Sequence, residues 1–429
     1  MQTLQSVPGM NDILPADAAR WHAMEEAFRS TCERYGFGEV RTPVCEYTEL
    51  FLRGVGEATD IVEKEMYTFE DRGGRSLTLR PEGTASAVRA YLSIAGNEPL
   101  ARWYYLGPMF RGERPAKGRY RQFHQLGAEV YGDGGPAVDA EIIDLAYVFM
   151  RRIGITHLEP RINSLGSGET RARYRQALVD YFTPQKDKLS ADSQRRLHTN
   201  PLRIIDSKAP EDIALRAGAP KLSDHFGDED RRHFDAVQEM LTKLGTPFVV
   251  DQTIVRGLDY YTRTIFEVKE TSGLLGAQDT LGGGGRYDNL VAELGGKPTP
   301  AIGFALGCER LIIAAGAHNI AAHTPSAMVI AIAKADETAV QGEALSIART
   351  LRDAGIIVHI DTRFGKADRQ FRQAEKHGAR AGIVLGSAEV AAGTVNLKDL
   401  AAKTQRTIAR AQLVDEVRAL LASPLPGGP

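Results

Sequence analysis

The chain has 429 residues, 43% of them hydrophobic and 25% charged, with 53 Lys and Arg against 55 Asp and Glu. That length supports a large core shared among two or three domains, and a net charge of −2 excludes a uniformly basic nucleic-acid binder, so any such partner must be met by local patches. No stretch reaches the ~20 apolar residues of a membrane span, and Met1-Gln2-Thr3-Leu4-Gln5 lacks a basic-then-apolar leader pattern, which makes the cytoplasm the expected compartment. Cys32, Cys45 and Cys308 are far apart and outside any CxxC pair, so neither a disulfide framework nor a structural zinc site is expected.

In chain order, Trp21, Met24, Phe28, Cys32 and Tyr35 recur at helical spacing, with Pro15 before them and Gly36 after, which predicts an amphipathic helix over 17–35. A strand is expected over 39–46, and Pro43 within it points to an edge or an interface because proline has no N–H to donate. Further strands are expected at 76–80, 103–111, 121–131, 252–255 and 261–269, without regular βα alternation. The fold class is therefore α+β, a mixed or antiparallel sheet rather than a doubly wound one. Residues 165–250 are polar and helical in pattern and look like an insertion into that sheet domain, which spans 1–322.

A linker is expected at 314–326. After it, strand 328–333, helix 335–354, strand 356–361, helix 367–379, strand 381–386 and a last helix near 409–422 predict a separate α/β domain over 326–429.

The residues with most chemistry sit on a hairpin. Strands 103–111 and 121–131 flank a turn-rich loop holding Arg111, Arg114, Lys117, Arg119 and Arg121 against one acid, Glu113. Such an excess suits phosphate, whose oxygens match the planar donor fork of arginine. Period-two alternation puts Gln125, Gly127 and Glu129 on a polar face and His124, Leu126, Ala128 and Val130 on an apolar one; Gly127 is expected to leave room for a ligand against the backbone.

Phe110-Arg111-Gly112-Glu113-Arg114-Pro115 and the run from Gly118 to Gln125 resemble motif 2 of class II aminoacyl-tRNA synthetases, in particular the histidyl-tRNA synthetase family. Leu79-Arg80-Pro81-Glu82-Gly83-Thr84 is similar to the family's amino-acid-binding turn, Arg256-Gly257-Leu258-Asp259-Tyr260-Tyr261 to its histidine signature, and the run from Ala301 to Leu311 to motif 3. The resemblance spans nearly the whole chain. It implies a class II catalytic sheet, a homodimer formed through motif 1 (the opening helix and the strand with Pro43), and a C-terminal anticodon-binding domain. Gly112 departs from the family, which has a larger residue there, and is expected to loosen the loop; Pro8 stands where many relatives carry a basic residue.

By this resemblance Arg111 would contact the α-phosphate of ATP and the carboxylate of L-histidine, Arg256 would add a cation beside that phosphate, and Arg310 would lie toward the γ-phosphate and the adenine face. Glu113 and Arg119 would bind ATP, Glu113 near the adenine amino group. Glu82, Thr84 and Gln125 would hold the α-ammonium group, with Gly83 in the same turn. Glu129, Tyr260 and Tyr261 would face the imidazole, and Tyr287, after the run Gly282–Gly285, would line the pocket. Mg²⁺ would accompany ATP, with no ligands assignable. Glycine runs as such are weak signals, and none matches a P-loop. For tRNA-His the expected contacts are Arg114 and Lys117 in the loop, and Arg369, Arg372, Lys376 and Arg380, which are spaced to lie along one face of helix 367–379 beside Arg363 and Lys366. The rival readings are non-catalytic paralogues: the regulatory subunit of ATP phosphoribosyltransferase, which lacks the last domain and erodes the histidine signature, and a stress-sensing pseudo-synthetase.

Overall fold

The computed structural model describes residues 4–56, 59–94, 98–205, 207, 209–254, 258, 260–316, 325–334 and 336–423. It divides into two compact units, Met1–Ala321 and Ala322–Pro429.

In the first unit the chain order of strands is β1 (Gly38–Glu39), β2 (Cys45–Tyr47), β3 (Tyr67–Glu70), β4 (Ser76–Leu79), β5 (Ala101–Phe110), β6 (Gln122–Tyr131), β7 (Leu158–Ser164), β8 (Val249–Val250), β9 (Thr262–Glu270), β10 (Thr280–Arg286) and β11 (Ala301–Gly307). Eight of them form one mixed sheet in the order β1-β5-β6-β11-β10-β9-β7-β8, and β2, β4 and β3 form a small antiparallel sheet. The large sheet is antiparallel except at its edges, where β1 runs parallel to β5 and β8 to β7.

One face of the sheet is closed by helices Pro15–Arg34 and Pro136–Arg152. The first begins at Pro15, whose fixed φ suits a first helical position, and buries Trp21, Met24, Phe28, Thr31 and Cys32 as one stripe. These meet Leu126, Ala128 and Val130, all fully buried, so the apolar side of β6 faces the core as its alternation requires. The opposite side, with Gln125 and Glu129, is left for the site.

The strand expected over 39–46 is two strands, since Pro43 cannot donate to a ladder: Val40 donates to Tyr104 and joins one sheet, while Val44 accepts from Arg80 beside the other. No strand occupies 252–254. Asp251 accepts from the Thr253 N–H at 3.0 Å and from its hydroxyl at 2.6 Å, turning the chain there, and the short strand falls at Val249–Val250 instead. Between β7 and β8 run helices Gly168–Phe182, Ala191–Arg196, Leu202–Ile205, Pro210–Arg216 and Asp228–Leu244, so this insertion is helical.

In the second unit, β12 (Ser326–Ala331), β13 (Val358–Ile360), β14 (Ala379–Leu385), β15 (Thr394–Asp399) and β16 (Thr404–Ala409) form a sheet ordered β13-β12-β14-β15-β16. The first three are parallel, with helices Thr338–Asp353 and Ala367–Lys376 between them in the chain; β15 and β16 add an antiparallel hairpin that the expected βαβαβ pattern did not contain. Most of the expected linker, 317–324, lies outside the described residues.

Candidate active site

A cleft of about 220 Å³ opens over β6, β10 and β11. Its base is made of the smallest residues: Gly282 and Gly283 of β10 and Gly303, Ala305 and Gly307 of β11. The glycine run is thus a central strand, not a flexible turn. A Cβ on Gly284 would fall 1.9 Å from the Gly303 carbonyl oxygen, and one on Gly282 would fall 2.4 Å from that of Ala305, so the two strands approach too closely for side chains.

One part of the wall is cationic. Arg111 donates to the Pro81 carbonyl at 2.8 Å and lies over the Phe123 ring at 5.1 Å. Arg310 donates to the carbonyls of Gly118 at 3.0 Å and Thr280 at 2.7 Å and to Gln278 at 3.0 Å; its burial pushes its pKa down. These bonds fix the guanidinium without using all five of its donors. Glu113 is paired with Arg119, and both line the cleft. Glu65 beside them has its carboxyl pKa raised, first by burial and then by Glu113. Gly112 donates to the Glu65 carbonyl at 2.6 Å, so the loop is tethered at the residue expected to loosen it.

The other part is built for a polar ligand without phosphates. The buried Glu82 caps helix Thr84–Leu92, accepting from the N–H groups of Thr84 and Ala85 at 2.7 Å each. Burial raises its pKa and these bonds oppose the rise. Gln125 lines the cleft with its Oε1 buried and, among the described residues, without a partner. Tyr260, Tyr261 and Tyr287 complete this side, Tyr260 meeting Tyr287 edge-on at 5.6 Å.

Glu129 is not on the surface of the cleft. It is completely buried beneath it, accepting hydroxyl hydrogen bonds from Thr84 at 2.9 Å, Tyr105 at 3.0 Å and Tyr287 at 2.5 Å. Burial pushes its carboxyl up to about 8 despite those three donors. The open space expected over Gly127 is filled, because a Cβ there would lie 2.3 Å from the Tyr105 ring; the same ring covers Gly83, at 2.2 Å. Tyr105, Gly303 and Glu309 are the site residues that the motifs did not single out. Tyr105 was within reach, since it shares parity with Gly107 on β5.

Ten expected residues therefore line one cleft: Glu82, Thr84, Arg111, Glu113, Arg119, Gln125, Tyr260, Tyr261, Tyr287 and Arg310. Gly83 and Glu129 lie behind its surface, Arg114 and Lys117 are exposed on the hairpin loop, and Arg256 lies outside the described residues. In the second unit Arg372 and Lys376 are exposed on their helix, while Arg369 is half-buried and paired with Asp361 at 3.0 Å. Arg363 holds the same Asp361 at 2.9 Å. Arg380 does not belong to the stripe. The helix ends at Lys376, and Arg380 is buried on β14, 3.6 Å from Asp399 and bonded to Ser423.

The model of histidyl-tRNA synthetases matches residues 9–311, which include every strand of the first unit. The chain belongs to the histidyl-tRNA synthetase family. Residues 326–420 match the model of an anticodon binding domain. The histidine–tRNA ligase of Sorangium cellulosum is 52% identical over 408 residues, 94% of each chain. The apo crystal structure of the S. aureus histidyl-tRNA synthetase superposes with a TM-score of 0.80 at 34% identity, covering 96% of this chain and 99% of that one. A Bacillus halodurans structure described as an ATP phosphoribosyltransferase regulatory subunit/histidyl-tRNA synthetase shares the fold alone, at 22% identity with a TM-score of 0.65 over 90% of this chain and 99% of that one. Fold does not separate ligase from regulatory subunit, whereas identity to a ligase over nearly the full length favours the ligase. Activity in this family is the ATP-driven ligation of histidine to tRNA.

Proposed function

We propose that the cleft holds L-histidine and ATP together, forms histidyl-adenylate and then passes histidine to the 3′ end of tRNA-His. The observation that carries this is the joining of two kinds of wall in one cleft: guanidinium groups suited to phosphate, and the Glu82–Gln125 pair of acceptors suited to an ammonium group.

In the first step a carboxylate oxygen of histidine attacks the α-phosphorus, the bond to the bridging oxygen breaks, and pyrophosphate leaves. In the second a ribose hydroxyl of tRNA attacks the acyl carbon and AMP leaves. Neither needs an enzyme nucleophile. Both need alignment and neutralisation of phosphate charge. Arg111 serves the α-phosphate and the attacking carboxylate, Arg256 adds a second cation, and Arg310 serves the γ-phosphate. The Glu113–Arg119 pair opens for ATP, freeing Glu113 for the adenine amino group and Arg119 for phosphate. Glu82, Thr84 and Gln125, with Gly83 shaping their turn, hold the α-ammonium group. Three hydroxyls leave one position on the Glu129 carboxyl, at Oε2; the proton that burial keeps there would be donated to one nitrogen of a neutral imidazole, and a hydroxyl oxygen among Tyr260, Tyr261 and Tyr287 would accept from the other.

Mg²⁺ takes few protein ligands, one or two carboxylates plus substrate phosphates, and Glu309 in the cleft wall, whose carboxylate also accepts from the His124 N–H, would supply one of them. When bound it would share the charge of the phosphates.

A cytoplasmic homodimer is part of the proposal. The small sheet and its approach leave Val44, Tyr47 and Phe69 exposed, an apolar edge suited to a second copy. Among the described residues no helix is long and apolar enough to cross a membrane. Arg114, Lys117, Arg369, Arg372 and Lys376 are the proposed tRNA contacts.

Amino-acid-dependent exchange of pyrophosphate into ATP tests the reading. Exchange supported by histidine alone is expected; exchange with another amino acid, or with none, would refute it.

A further inference from the structure

The pocket tyrosines stand at an irregularity in the sheet. Along β10 and β9, Gly285 pairs with Ile265 but Arg286 pairs with Thr262, so Arg263 and Thr264 are extra residues on β9. Arg263 takes a left-handed φ of 39°, uncommon for a side chain of its size. A slip of this kind re-aims the residues that follow it. Here they are Tyr287 on one strand and, reading backwards, Tyr261 and Tyr260 on the other, so the slip sets the aim of all three.

One helix of the insertion, Asp228–Leu244, grips both strands at the slip. Toward β9, Asp230 lies 3.3 Å from Arg263 Nε, and Glu229 pairs with the same guanidinium. Toward β10 the grip passes through buried charge. His233 Nε2 is 2.8 Å from Asp139 Oδ2, and Asp139 Oδ1 is 2.7 Å from Arg286 Nη2. Arg286 and Asp139 are fully buried. Arg286 also donates to the carbonyls of Asp133 at 3.0 Å and Gly135 at 2.9 Å, and pairs with Asp288 at 3.0 Å. Burying this much charge gains little stability over an apolar packing, so its effect is to hold a geometry.

We propose that His233, although outside the cleft, is a positioning residue for histidine recognition: through Asp139 and Arg286 it holds the slip that aims Tyr287 at Glu129. The helical insertion is thereby part of the amino-acid site. This rests on the cleft being the histidine site.

The test compares His233→Leu with His233→Gln, whose amide nitrogen can take the place of Nε2, by steady-state pyrophosphate exchange. His233→Leu should raise KM for histidine about tenfold, the scale of one misplaced hydrogen bond, with KM for ATP within about twofold of wild type. His233→Gln should restore KM for histidine. In a Tyr287→Phe background His233→Leu should add little, because both changes remove the same contact. Should the leucine variant fold poorly, His233→Asn, too short to reach Asp139, carries the same comparison. Equal losses for histidine and ATP, additive effects with Tyr287→Phe, or no change would overturn the proposal while leaving the active-site reading intact. Absence of histidine-dependent exchange in the wild-type protein would overturn both.

Discussion

A Cβ placed on Gly303 would lie 1.6 Å from Oε2 of Glu129, its partner across β11 and β6. The carboxylate leans over the glycine toward Tyr287, and nothing larger than hydrogen leaves it that path. Gly303→Ala should therefore displace Glu129. The methyl would also meet the Ala128 carbonyl at 2.6 Å, so a new rotamer of Glu129 cannot relieve the clash. Overpacking of this sort costs about 1–3 kcal/mol. Thermal unfolding should show that loss, and KM for histidine should rise more than KM for ATP. An alanine variant with wild-type stability and histidine KM would contradict the geometry.

Glu129 also makes a prediction about pH. Its carboxyl is pushed up to about 8 in the folded protein, above the value near 4.5 of a free glutamate, chiefly by burial. The folded state keeps a proton that the unfolded chain loses. The group's contribution is complete below the unfolded value and is lost as pH rises through 8. Glu129→Gln does not titrate, so its stability relative to wild type should climb by about 1.4 kcal/mol per pH unit between roughly pH 5 and 8. Urea unfolding of both proteins across that range measures it, and parallel pH curves would rule it out.

Arg256 is proposed as a cation for the activation step on its sequence context alone. Arg256→Ala should slow adenylate formation by about 10²–10³-fold in single turnovers, the scale for loss of a preorganised donor, with a smaller effect on histidine affinity. An unchanged adenylation rate would remove it from the mechanism.

In the second unit Arg372 and Lys376 are the exposed members of the proposed tRNA contact, and Arg369 beside them also pairs with Asp361, whose carboxyl Arg363 and then Arg369 hold down to about 2. Changing both Arg372 and Lys376 to Ala should weaken tRNA binding and reduce the slope of log affinity against log salt by about 1–2, while pyrophosphate exchange is unchanged. Loss of exchange, or an unaltered salt slope, would count against a phosphate-contacting role.

The polar face of β6 was legible because the other face of the strand is core, and a period of two then assigns Gln125 and Glu129 together. The same reasoning could not see β10, since Gly282 to Gly285 have no side chains to alternate, and the reason for glycine is the carbonyl of a strand some twenty residues later. Pro43 marked an edge correctly yet split its strand. Arg380 had the right spacing for the basic stripe, but Gly378 follows the helix with a φ of 62° and carries the arginine into the sheet. Tyr105 displaced the ligand expected over Gly127 because an aromatic ring on the neighbouring strand fills whatever a glycine leaves open. Spacing assigns a face; it does not say which neighbour occupies it.

The chain ligates histidine to tRNA rather than merely sensing histidine. Transfer of labelled histidine to tRNA-His, followed by acid precipitation, tests this most directly. Precipitable label is expected that requires ATP and the tRNA, and that unlabelled histidine, but no other amino acid, competes away. Histidine binding without adenylate formation or transfer would contradict it.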